Sequence, residues 1–197
     1  MISASDSKAS LGTKIMIDYL KLYDLESYLF NKVNQSFMTD HFLNAFDFFC
    51  IIIWKANRSK SKMALKLIAN DSQRRTDLNI IVKDITQSIF EASNDKERMK
   101  ILIVNWKFRL PMATAILAVL YPSSYTIYDA RVCEQLNNYS TLKTKADFDE
   151  LYKGYLEFKQ VVINEAQQIL SLRDKDRFLF GKSFSEQLEN DIQSNFQ

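Results

Sequence analysis

Along most of the chain the apolar positions return every three to four residues, the spacing of one face of an α-helix. Leu25, Leu29 and Val33 form the first such series, which closes near "MTD", with Asp40 placed as the N-cap of a second helix. That second helix carries Phe42, Leu43, Phe46, Phe49, Cys50, Ile53 and Trp54 on most of its faces, which predicts a central position for it. The basic stretch "WKANRSKSK" then leads to a helix through Met63, Leu67 and Ile68. "NDSQRRT" reads as a loop, Thr76 as a cap and Leu78 to Phe90 as a helix. A further helix starts from Asn94, with acids in its first turn and Met99, Leu102, Ile103 and Trp106 along it.

The most apolar segment is "RLPMATAILAVLYPSSYTIYDARV", Arg109 to Val132. Pro111 suits the first turn of a helix, because it has no N–H to leave unpaired there. The short turn "NWKFRL" before it makes the flanking helices an antiparallel or steeply crossed pair. A short helix is expected close to Asp129. A long amphipathic one is predicted from about Ala146 to Leu172, with Phe148, Leu151, Tyr155, Phe158, Val162 and Ile169 on one side. The tail turns helical near Phe184 to Ile192 and then frays, so residues 1–12 and 185–197 read as the loose ends of a single compact helical unit.

Three glycines and two prolines leave little room for the turns of an all-β fold, and no strand–helix alternation, internal repeat or phosphate loop is present. The prediction is an all-α, two-lobed helical bundle, for which 197 residues supply enough core. A formal charge of +2 permits a nucleic-acid partner without demanding one. Cys50 and Cys133 are the only cysteines and His41 the only histidine, too few for a zinc site or a four-cysteine cluster, so neither metal nor cofactor is expected. His41 stands at a predicted helix start and reads as structural rather than catalytic. The N-terminus lacks the layout of a signal peptide and "FFCIIIW" is far too short to span a bilayer, which predicts a cytoplasmic protein without membrane contact.

From about Lys96 to Leu136 the order is helix, short turn, helix, Pro-containing loop and an apolar-x-Asp-x-basic-Val element. This order resembles the helix-hairpin-helix DNA glycosylase superfamily. "TIYDARV" places Asp129 at that superfamily's aspartate and Arg131 at its basic position. "KFRLPMATAIL" places Lys107 and Arg109 where the hairpin glycines would stand and Pro111 where its lysine would stand. Over about Ile17 to Leu136 the chain is also similar to bacterial proteins with an 8-oxoguanine DNA glycosylase-like fold, which share a "WK-x-x-R" element like Trp54, Lys55 and Arg58.

The resemblance implies double-stranded DNA with a flipped base as substrate and Asp129 as the catalytic acid group. It further implies Lys107, Arg109, Arg131, Lys55 and Arg58 as DNA contacts, and Trp54 in the base pocket. With Pro111 at the lysine position, it implies base release without a Schiff-base lyase step.

The chemistry of Asp129 also has a reading of its own. Cleaving an N-glycosidic bond builds positive charge on the sugar, and one well-placed carboxylate stabilises it or orients the attacking water. Asp129 equally suits an N-cap for the helix starting at "ARVCEQL", and the two roles are compatible. Lys107 and Arg109 fit either phosphate contacts or a solvated turn, Trp54 either core or a stacking surface. Two functions fit the sequence: a monofunctional glycosylase, or a non-catalytic DNA-binding or protein-interaction module with the same fold.

Overall fold

The computed structural model describes residues 19–136 and 138–194, whose regular structure is helical with no strand among them. The expected loose end at 1–12 lies outside the described residues. The first rod, α1, passes from Leu25–Ser27 through a π-helical stretch Tyr28–Val33 into Asn34–Asp40. Next come α2 (Ala45–Ala56), a 3-10 turn (Asn57–Ser59), α3 (Lys60–Asn70) and α4 (Leu78–Glu91). α5 (Asp95–Lys100) runs into a π-helical stretch Ile101–Asn105, and α6 spans Leu110–Leu120. The remainder is α7 (Ala130–Gln135), a 3-10 turn (Leu142–Thr144), α8 (Phe148–Glu165) and α9 (Leu172–Ser194).

α6 is the axis of the core. Every residue from Met112 to Leu120 is buried, with α1, α2 and α5 packed around it. Each large aliphatic side chain so buried contributes roughly 1.5–3 kcal/mol, so a helix apolar on all faces belongs at the centre. Its C-terminal carbonyls, which have no partner within the helix, are met by Asn34 of α1: Nδ2 donates to Val119 O at 2.8 Å and to Leu120 O at 3.0 Å.

α5 and α6 are joined by a tight turn. Phe108 N–H donates to Leu102 O at 2.8 Å, and Lys107 takes φ 57°, the left-handed conformation that a glycine would adopt freely. Lacking a glycine, the chain accepts that strain at Lys107, at a cost of about 1–2 kcal/mol.

The helix boundaries correct several expectations. Asp40 is the last residue of α1 rather than an N-cap, and His41 comes after it at φ 66° as the helix ends. The cap of α2 is Asn44, which accepts the Asp47 N–H at 2.8 Å. Asp77, not Thr76, caps α4 by accepting the Asn79 N–H at 2.8 Å. α5 starts where expected, with Asn94 as its N-cap and Asp95 and Glu97 in its first turn.

The largest difference is at the C-terminus. α8 ends at Glu165, short of the expected Leu172. Of the tail expected to fray at 185–197, residues 185–194 belong to the 23-residue α9. Ser171 restarts the chain as a helix: Asp174 N–H donates to its Oγ at 3.0 Å, and its hydroxyl donates to Asp174 Oδ2 at 2.6 Å. The ammonium of the buried Lys175 then ties α9 to the end of α8 by donating to the Ala166 and Ile163 carbonyls.

Candidate active site

Between α6 and α7 the chain crosses the interior as a non-helical segment, Tyr125 to Tyr128, buried at every residue. A buried stretch outside regular structure must find partners for its amides elsewhere, and here three helices supply them. Thr126 N–H donates to the Tyr155 hydroxyl of α8 at 3.1 Å, and that hydroxyl donates to Thr126 O at 2.9 Å. Ile127 N–H donates to Asp176 of α9 at 3.2 Å, and Tyr128 N–H donates to Thr114 Oγ1 of α6 at 3.0 Å. The last of these explains the one hydroxyl in the middle of an otherwise apolar helix. The segment is held from three sides, and its next residue is Asp129.

Asp129 caps α7, its Oδ1 accepting the Arg131 N–H at 3.0 Å. Its Oδ2 forms an ion pair with Lys55 Nζ, brought in from the last turn of α2. Burial acts to raise the Asp129 carboxyl. The charge and hydrogen bond of Lys55, with the Arg131 N–H and charge, outweigh it and hold the group below its ordinary 3.8. The acid is therefore ionised at neutral pH, and its side chain keeps 24% of its surface exposed.

That surface faces a cavity of about 380 Å³ lined by Trp54, Lys55, Asp129, Arg173, Asp176 and Phe180, with Glu26, Ile127, Val132 and Arg177. The volume lies within the range of small-molecule sites. Trp54 meets Phe30 edge-on at 5.7 Å, and the Arg173 guanidinium lies over both rings, 5.2 Å from the Trp54 centroid and 4.8 Å from that of Phe30. Arg173 is held by two carboxylates, Glu26 of α1 at 2.7 Å and Asp176.

Of the residues singled out in the sequence, Asp129, Lys55 and Trp54 meet in this cavity. Arg131 does not line it, since its guanidinium turns outward over the Phe180 and Phe184 rings and donates to Gln187 at 2.8 Å. Arg58 is exposed on the 3-10 turn, also off the cavity. Lys107 and Arg109 are exposed at the α5–α6 turn, where Lys66 of α3 donates to Lys107 O. Burial, then the charges of Arg109 and Lys62, push the Lys66 ammonium down, so these cations crowd one surface without lining the cavity.

His41 is exposed and stacked on Phe90 at 3.9 Å, away from the cavity. Cys50 and Cys133 are buried free thiols, and burial followed by the Asp47 charge raises Cys50 to about 11, far from nucleophilic.

Beyond Asp129, Lys55 and Trp54, the lining residues, Glu26, Ile127, Val132, Arg173, Asp176, Arg177 and Phe180, were not among those the sequence singled out as site residues. The "SLRD" pattern at Ser171 to Asp174, a capping-box type of start leading into an apolar-charged mixture, is the signal from which α9 could have been read. Compared with protein-family models, curated proteins and solved structures, the chain matches none of them.

No helix among the described residues is long and apolar enough to cross a membrane.

Proposed function

We propose that this protein is a DNA base-release enzyme, a monofunctional N-glycosylase of two-lobed helix-hairpin-helix type. The observation that carries the reading is the ionised Asp129 carboxylate, fixed by Lys55 and facing a cavity walled by Trp54. A carboxylate held by a rigid surround stabilises a sugar that is losing its base and gaining positive charge. Trp54 supplies a face for a base turned out of the duplex, and the Lys62, Lys66, Lys107 and Arg109 surface supplies charge for the phosphates.

A pure helix cap would have its carboxylate occupied by backbone N–H groups alone. Asp129 accepts one such bond on Oδ1, while Oδ2 is held by a side-chain cation from another helix. The test is base release from duplex oligonucleotides carrying oxidised, alkylated, deaminated or bulky phage-type bases, with abasic product formed by the native chain and not by Asp129→Asn.

A second reading, a non-catalytic DNA-binding or protein-interaction module, is favoured by one observation: both oxygens of Asp129 already have partners. Salt-dependent DNA binding without abasic product from any of these lesions supports the DNA-binding form of that reading, and no DNA binding supports the protein-interaction form.

A further inference from the structure

We propose that Asp176, on the first turns of α9, is the positioning residue of the site: its carboxylate fixes the buried segment that presents Asp129. This rests on reading Asp129 as the working acid of the cavity. The Asp176 Oδ2 accepts Ile127 N–H at 3.2 Å and the Thr126 hydroxyl at 3.3 Å, while its Oδ1 pairs with Arg173. Through Arg173 the same carboxylate is linked to Glu26 of α1, and Arg173 also covers Trp54. One side chain thus ties the backbone just before Asp129, through Arg173, to Glu26 and Trp54 in the lining of the same cavity.

Of the three side chains that hold the Thr126, Ile127 and Tyr128 amides, Tyr155, Asp176 and Thr114, only Asp176 changes charge near neutral pH. Its side chain is 4% exposed. Burial raises the carboxyl, and Arg173, Ile127 N–H and the Thr126 hydroxyl offset part of that, leaving it at about 6. The groups facing it are Arg173 on its own helix, Thr126 and Ile127 on the segment and Tyr155 of α8, with Glu26 of α1 behind Arg173. Asp129 and Lys55 line the same cavity. Protonation replaces charge-assisted acceptor bonds, which are about twice as strong as neutral ones, with a neutral acid that accepts weakly. The segment then loosens at Ile127, two residues from Asp129, while α8 and α6 stay packed.

The experiment is amide hydrogen exchange on the full chain between pH 5 and pH 7.5, with protection factors corrected for intrinsic rates, for the native protein and for Asp176→Asn. The expected result is Ile127 protection about ten-fold lower at pH 5 in the native chain, no such step in Asp176→Asn, and unchanged protection for Tyr155 and Phe158 in α8. Should Asp176→Asn not fold, the native step is read together with Thr126→Val, which removes one donor and keeps the step. A native chain without the step, a step retained in Asp176→Asn, or loss of protection in α8 together with Ile127 overturns the proposal.

Base release run in parallel separates the two readings. Its rate is expected to fall below about pH 6 in the native chain and to lose that limb in Asp176→Asn. The exchange step without release from any lesion removes the glycosylase reading and leaves the positioning role standing. Release without the step removes only the positioning role.

Discussion

Lys55 and Asp129, 74 positions apart, form an ion pair in the lining of a cavity, with the lysine on the last turn of α2 and the acid capping α7. The pair joins the two sequence elements that stood out separately, "WKANR" and "YDAR". Lys55→Met removes the cation while burial remains, so the Asp129 carboxyl moves upward. A carbon-13 NMR titration of the Asp129 carboxyl checks this. Titration below 3.8 is expected in the native chain, and an identical midpoint in the variant would show that Lys55 does not set its charge.

Arg173 is 16% exposed and lies between Glu26 and Asp176. Arg173→Ala leaves both acids without their shared cation and uncovers Trp54. Breaking a buried pair in this way costs about 3–5 kcal/mol; because Glu26 is partly exposed, the lower end is expected. Urea denaturation of native and variant chains measures it, and a loss below about 1 kcal/mol would mean that solvent already screens the trio.

The raised Asp176 carboxyl has a thermodynamic consequence whose sign is opposite to that of most acids. Between 3.8 and about 6 the folded chain holds a proton that the unfolded chain has released. The stability that this proton contributes is fully present below 3.8 and is lost as pH rises through about 6. The loss is on the order of 2–3 kcal/mol. The unfolding free energy of the native chain relative to Asp176→Asn should decline across that window. The stability that Asp176 contributes and the amide protection at Ile127 thus run in opposite directions with pH, which no general unfolding could produce.

Much of this arrangement was legible in the chain. The all-helical fold follows from apolar spacing and the scarcity of glycine and proline, and the central place of α6 from its lack of polar faces. Asp129 as a cap, the helix start at Asn94 and the tight turn before α6 are local features, set by residues within a few positions of one another. What was not legible is nonlocal. Arg173, Asp176 and Arg177 look like a solvated charged tail, yet the first two are largely buried against Glu26, Thr126 and Ile127, which only the approach of α9 brings near. The cap misplaced at Asp40 has a simpler cause. His41 takes a left-handed conformation and lets α1 run through Asp40, which moves the start of α2 to Asn44.

The cations Lys62, Lys66 and Arg109, beside the exposed turn residue Lys107, predict a phosphate-binding surface. Lys107→Ala and Arg109→Ala should each weaken duplex binding without regard to sequence and reduce the slope of log affinity against log salt by about 0.9. Fluorescence anisotropy over a salt series reads both effects. An unchanged slope places the strand elsewhere.

The most direct measurement is single-turnover base release from the lesion panel by the native chain and by Asp129→Asn, with borohydride added to a parallel reaction. The expected result is abasic product from at least one lesion, a rate about 10²–10³-fold lower in Asp129→Asn, and no trapped covalent complex. Equal rates in the two chains, or no release from any lesion, would contradict the assignment of Asp129 as the catalytic acid group.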